Sequence, residues 1–276
     1  MALIFNKRIL NLKQTVKKKY ILLTGASGFL GSKVLKKLID NGYHVIALVR
    51  ENSNLNRIKE LQGKFELFIL MDNQVNLKCL FDHFEINSII HTATDYGITS
   101  SYSEVLNSNL IFPTKLVEFG LQNNLQYFFN CDTFFCKPAY LNSTYKATYT
   151  NSKKLFFDYL LTIEGALNII NLRLEHVFGE FDSNTKFVTN IFNKLMNSEN
   201  EIHLTEGFQE RDFIYIDDVV SAIMTILCTI KNTKEFSEYE IGTGQSISVR
   251  KFVTLMAELT KSKSKLNFGS IKTDKN

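Results

Sequence analysis

Tyr149 and Lys153 form the pair in this chain whose spacing speaks most directly of chemistry. Four residues apart on a helix, their side chains share one face. A phenol titrates near pH 10 and exchanges its proton reluctantly at neutrality. A cation within about 4–6 Å lowers an acid's pKa by roughly 1–3 units, which would make Tyr149 usable as a general acid toward a carbonyl. The pattern alone is cheap in a chain with 11 tyrosines, so its position has to carry the argument. A second group is Gly25, Gly28 and Gly31, in Thr24-Gly-Ala-Ser-Gly-Phe-Leu-Gly. Glycines between a strand and a helix let backbone N–H groups approach a pyrophosphate, and the helix N-terminus adds partial positive charge.

The surrounding sequence supplies elements to hold these groups. Ile21 to Thr24 reads as a buried strand, and helical periodicity follows the glycines from Ser32 to a stop at Asn41-Gly42. A second strand, Tyr43 to Val49, completes a dinucleotide fingerprint. It ends on Arg50, where an acid would bind a ribose 2′-OH and an arginine accommodates a 2′-phosphate. With Ser53, Asn54 and Arg57 nearby, Arg50 predicts NADP(H) in preference to NAD(H). A third strand, Phe65 to Leu70, runs into Asp72, placed to sit beside an adenine. A fourth, from Asn87, ends in the small residues Thr92, Ala93 and Thr94, which allow close approach of a nicotinamide ribose. A long helical stretch from Tyr102 to Asn123 carries Pro113, predicted to kink or restart it. A fifth strand from Gln126 ends near Cys131, upstream of the Tyr149 helix. Strict alternation predicts an α/β fold: a Rossmann-like, doubly wound parallel sheet with ligand at the C-terminal strand ends.

The chain has 276 residues, 45% of them apolar, enough for one large core or two smaller ones. A net charge of +4 without a basic stripe interleaved with aromatics argues against a nucleic-acid partner. Cys79, Cys131, Cys136 and Cys228 show no CxxC spacing, which suggests reduced thiols, a cytoplasmic setting and no metal. Residues 1–19 read as a frayed or weakly amphipathic extension without an inserting apolar run, a membrane-surface anchor being the sharper alternative. The expected division is a dinucleotide-binding domain over 20–178, with 211–220 and 238–244 returning to it, and a smaller substrate-capping region over 179–276.

Four segments together resemble the extended short-chain dehydrogenases/reductases of the nucleotide-sugar epimerase/dehydratase group. They are the Gly25–Gly31 loop, Tyr149-x-x-x-Lys153, Leu172-Arg-Leu-Glu-His-Val-Phe-Gly, and Arg211-Asp-Phe-Ile-Tyr-Ile-Asp-Asp-Val followed by Tyr239-Glu-Ile-Gly-Thr-Gly. Asn130-Cys-Asp-Thr-Phe-Phe and the Arg50 strand end are most similar to C4-ketoreductases of the CDP-abequose synthase type. The resemblance implies that Tyr149 protonates a sugar carbonyl and that Lys153 holds the nicotinamide ribose. It implies cofactor contacts at Gly25, Ser27, Gly28, Phe29, Leu30, Gly31, Arg50, Asp72, Thr92, Ala93, Thr94 and Asn109. It implies a nucleotide-sugar substrate, with Arg211 on its phosphates and His176, where relatives carry Asn, at the pocket edge. It also implies a homodimer through the helices around Tyr102–Asn123 and Thr148–Thr162. The family's Ser or Thr aligns with Cys131, a weak donor; Thr133, two residues on and facing the same side of the strand, is expected to take its role. The alternatives are an NAD-dependent nucleotide-sugar 4-epimerase and a dinucleotide-sensing regulator without chemistry.

Overall fold

The computed structural model describes residues 18–71, 76–137 and 146–272. Asp72 and most of the N-terminal extension lie outside the described residues.

The first half alternates as its apolar runs dictate. β1 (Lys19–Thr24), α1 (Phe29–Asp40), β2 (Val45–Arg50), β3 (Glu66–Leu70), α2 (Leu77–His83) and β4 (Glu85–His91) follow in turn, with a 3₁₀ segment at Asn56–Leu61. The long helical stretch is in three pieces: α3 (Tyr102–Leu106), a π-helical segment (Asn107–Ile111) and α4 (Phe112–Gln122). Pro113 stands in the opening turn of α4, where its missing N–H costs no hydrogen bond. The restart expected at this proline therefore occurs, and the π segment sits just before it. β5 (Tyr127–Thr133) and α5 (Ala147–Thr162) then carry the catalytic candidates, before β6 (Asn168–Leu174) and β7 (His176–Phe178).

Beyond β7 come α6 (Phe187–Met196), β8 (Glu201–Leu204), β9 (Glu210–Arg211), β10 (Phe213–Tyr215), α7 (Ile216–Thr229), β11 (Phe236–Ile241), β12 (Ile247–Ser248), α8 (Val249–Thr260) and β13 (Lys265–Phe268). The main sheet has seven strands in the order β11-β6-β5-β4-β1-β2-β3. Every pairing in it is parallel. The chain winds outward from β1 through β2 to β3, then returns to β4 on the other side. β1 and β4 therefore flank the topological switch point, where such sheets open a crevice at their C-terminal ends.

Alternation along each strand feeds two cores. Ile21 and Leu23 pack with Val34, Leu35 and Leu38 of α1 and Val219 and Ile223 of α7. Leu22, between them, faces the other way, toward Leu80 of α2, Leu116 of α4, and Phe156 and Leu160 of α5. A third cluster, including Ile191, Leu195, Ile202, Leu204, Val253 and Met256, holds α6 and α8 to β8. The polar tail after Lys261 contributes β13, paired in parallel with β8 through Leu266↔Ile202 and Phe268↔Leu204.

Candidate active site

The glycine loop and the Thr92–Thr94 turn are locked together at the switch point. Thr92 Oγ1 donates to the Thr24 carbonyl (2.7 Å), and the Ala93 N–H donates to Thr24 Oγ1 (3.2 Å). Thr24 Oγ1 also meets the buried His91 ring at Nδ1 (2.8 Å), and burial drives His91 well below its ordinary pKa, so it stays neutral. Gly25 has φ +67, and a Cβ there would lie 2.7 Å from the Ala93 nitrogen. A Cβ on Gly31 would lie 2.1 Å from the Gly25 carbonyl oxygen. Gly28 caps α1 without a side-chain hydrogen bond, and no acid stands in the first turn. The opening N–H groups at Phe29, Leu30 and Gly31, with Ser27 beside them in the loop, thus form a cradle without carboxylates or bulky side chains. Its chemistry fits the pyrophosphate of a dinucleotide.

Arg50 is exposed at the tip of β2, and its N–H donates to Ser53 Oγ (3.0 Å). Among the described residues its guanidinium makes no hydrogen bond or ion pair, whereas Arg57 donates to the Phe181 carbonyl (2.8 Å).

Tyr149 and Lys153 are both buried on one face of α5, at the C-terminal end of β5. Lys153 Nζ donates to the Cys131 carbonyl oxygen (2.7 Å). The Thr133 side chain acts on the Tyr149 phenol in the direction that favours its ionised form. Burial is the dominant influence on Tyr149 and, with Tyr96 beside it, holds the phenol well above its ordinary pKa. The lowering expected from Lys153 is not found: Thr133 is the neighbour that favours the phenolate, and burial outweighs it. Burial also lowers the Lys153 pKa, against the opposing pull of the Asp132 carboxylate. The Cys131 thiol is pushed up to about 12 by burial, which leaves it a neutral spectator.

Asn109 is 1% exposed on the π segment. Its Oδ1 accepts from the Asp95 N–H (2.8 Å) and Thr94 Oγ1 (3.3 Å). Its Nδ2 donates to the Asp95 carbonyl (2.8 Å) and to Ser152 Oγ (3.0 Å). Ser152 Oγ in turn donates to the Tyr149 carbonyl (2.7 Å). The amide is thus committed to tying the β4 turn to α5, the helix that carries Tyr149.

His176 and Arg211 stand on the other wall. His176 packs between the rings of Phe134 and Phe213, its Nδ1 buried without a partner among the described residues. Burial, reinforced by Arg211, Lys146 and Lys186, depresses it to about 3. Lys186 caps α6 and lies 3.4 Å from the Tyr96 ring centroid, and the Tyr96 ring lies 5.2 Å from that of Tyr149. Burial lowers Lys186 to about 8. Asp212 is spent on the Thr243 N–H (3.0 Å), Thr243 Oγ1 (2.6 Å) and the Gly244 N–H (2.8 Å). The contribution of Tyr96, Lys146 and Lys186 was not read from the sequence, because no short motif links them to Tyr149.

A parallel sheet in the order 3-2-1-4-5-6, opened by a glycine cradle and closed by a buried Tyr/Lys pair, defines a dinucleotide-binding enzyme fold of Rossmann type. The chain belongs to the NAD dependent epimerase/dehydratase family, whose model matches residues 21–242. It is 33% identical over 269 residues to CDP-abequose synthase of Salmonella typhimurium, covering 93% of this chain and 87% of that one. To CDP-abequose synthase of Salmonella muenchen it is 36% identical, covering 92% and 85%. Among solved structures it is similar in fold to UDP-glucose 4-epimerase of Thermotoga maritima, with a TM-score of 0.77, 21% identity and coverage of 92% and 87%. The family resemblance drawn from the four sequence segments is thereby borne out.

Proposed function

We propose that this protein is an NADPH-dependent reductase of the C4 keto group of a nucleotide-linked deoxysugar, acting in the synthesis of surface-polysaccharide (O-antigen) sugars. What supports the reading is that Tyr149 and Lys153 lie buried on one face of α5, with Lys153 held on the Cys131 carbonyl and Thr133 acting on the Tyr149 phenol. The similarity to CDP-abequose synthases supports a CDP-linked deoxysugar as substrate.

The Cys131 carbonyl takes one of the three N–H bonds of Lys153 and leaves the others for ribose hydroxyls. Thr133 and Tyr149 bracket the position of a carbonyl oxygen. Burial keeps Tyr149 protonated at neutral pH, so it can pass that proton to the oxygen as the carbonyl is reduced. A bound nicotinamide supplies the hydride. Arg211, with a fork of N–H donors suited to a diphosphate, stands with Lys146 and Lys186 around His176. The reading includes a homodimer, built through α4 and α5.

The test mixes the purified protein with NADPH and 4-keto deoxysugars on CDP, dTDP, GDP and UDP, and follows the loss of nicotinamide absorbance. Oxidation of NADPH with the CDP-linked ketone is expected, and Tyr149→Phe should abolish it while NADPH binding is retained. Tightly held NAD with C4 inversion of an unreduced sugar nucleotide would replace the reading with an epimerase.

A further inference from the structure

Behind the catalytic pair lies a carboxylate that the mechanism above leaves unused. Asp132 is 3% exposed on β5. Alternation puts it on the same face as Asn130 and Phe128, the face that α5 covers. Its Oδ2 accepts from Asn171 Nδ2 (3.1 Å), and among the described residues its Oδ1 has no hydrogen-bond partner. Asn171 is held in turn: its Oδ1 accepts from Asn130 Nδ2 (2.7 Å), and its Nδ2 also donates to Glu238 Oε2 (3.0 Å). Arg173 completes the chain by donating to Glu238 Oε2 (2.8 Å). A buried carboxylate oxygen left without a donor is costly unless a charge offsets it. The carbonyl that anchors Lys153 belongs to Cys131, the residue just before Asp132.

We propose that Asp132 is a positioning residue for Lys153, a carboxylate tethered by Asn171 behind the strand tip so that the buried ammonium stays charged on the Cys131 carbonyl. The other groups around the pair leave this task to Asp132. From β5, the turn after it and β4, the Cys131 and Cys136 thiols (both pushed up to about 12) and His91 are neutral. Tyr149 on α5 and Tyr96 above it are held protonated by burial. From β6 and β11, Arg173 and Glu238 offset each other as an ion pair. Asp132, opposite Arg173 in the strand register, makes no ion pair among the described residues, and of the groups acting on Lys153 it is the foremost in opposing the effect of burial.

The proposal rests on the reading of Lys153 as part of the catalytic group, so its primary test needs no substrate. The full-length protein is labelled with ¹³C at lysine Cε, the Lys153 resonance is assigned by its loss in Lys153→Met, and its midpoint is followed against pH. Removing the carboxylate takes away a charge that favours the ammonium. Asp132→Asn should therefore move the midpoint down by about one pH unit or more. The alkaline limb of ketone reduction should move down with it, because Tyr149 also loses a carboxylate that holds its proton. If Asp132→Asn does not fold, Asn171→Ser is read instead. That variant frees the carboxylate to close on the ammonium and should move the midpoint up. A midpoint equal to wild type in whichever variant folds overturns the proposal. A midpoint that moves in a protein reducing no ketone sinks the reductase reading and leaves this proposal standing.

Discussion

Thr133 is the neighbour that favours ionisation of the Tyr149 phenol, against the burial that opposes it. Thr133 is the last residue of β5, and its Oγ1 accepts the Phe135 N–H (3.3 Å). The hydroxyl is thus anchored to the backbone at the strand tip. Cys131, two residues earlier, contributes its main-chain carbonyl to Lys153, and its thiol lies in the core with Ile214 and Ile216.

That division separates two variants. Thr133→Ala should lower kcat by roughly 10- to 100-fold, the loss expected when a hydrogen bond to a developing charge is removed. Cys131→Ala keeps the carbonyl that holds Lys153 and should retain kcat within a few-fold, with some loss of thermal stability. Steady-state kinetics with a 4-keto sugar nucleotide checks both. A Thr133→Ala enzyme of full turnover would remove Thr133 from the mechanism.

How much of this was legible depends on the range of the interactions. The glycine loop, β1 and α1 are local, and their pattern of small, apolar and periodic residues places them within two or three residues, α1 beginning at Phe29 where the periodicity is read from Ser32. Lys19 and Tyr20 extend β1 because they pair with Glu85 and Ile86 of β4, partners far along the chain. The two-residue strands β9 and β12 and the β8–β13 pair exist only through such distant pairing, so no periodicity announces them. Asn130, Asp132 and Asn171 did carry a signal: polar residues inside otherwise apolar strands, all on the face beneath α5. The direction of the Tyr149 shift was illegible, since it depends on burial beside Tyr96, which the Tyr-x-x-x-Lys spacing does not report.

His176 predicts an acid sensitivity of the fold. Unfolded, a histidine takes up its proton near pH 6.5; folded, His176 does so only near 3. Below pH 6.5 the unfolded chain therefore binds a proton that the folded chain refuses, and stability falls progressively as pH approaches 3. Each such group contributes a slope of about 1.4 kcal/mol per pH unit in that window. His91, depressed in the same direction, adds to it. Thermal melts from pH 7 to 4.5 should show a falling Tm, and His176→Phe should flatten the decline. A variant with the wild-type slope would show that the ring is protonated without cost.

The proposed dimer has a surface to test. Leu155 is 45% exposed and Leu161 42% exposed on α5, and Ile111, 44% exposed, stands just before α4. Leu155→Glu would place a charge in the middle of an interface formed by these helices and should convert a dimer to a monomer by light scattering, with the melting curve otherwise preserved. A monomeric wild-type protein would reject the arrangement outright.

The proposed preference for NADPH rests on Arg50. Among the described residues its guanidinium at the tip of β2 has no hydrogen-bond or ion-pair partner, while Arg57 is engaged by the Phe181 carbonyl and Ser53 Oγ by the Arg50 N–H. Arg50 is therefore the group placed to meet a 2′-phosphate with charge-assisted hydrogen bonds, each contributing about 1.5–3 kcal/mol. Arg50→Ala should weaken NADPH binding by roughly 10- to 100-fold and leave NADH binding nearly unchanged. Arg50→Asp should go further and invert the preference, because an acid at this strand end accepts the ribose 2′-OH and repels the phosphate. Nicotinamide fluorescence titrations of both cofactors against all three proteins measure this directly. Equal losses for NADPH and NADH in Arg50→Ala would mean that the guanidinium supports the adenosine as a whole, and the proposed preference for NADPH would lose its support.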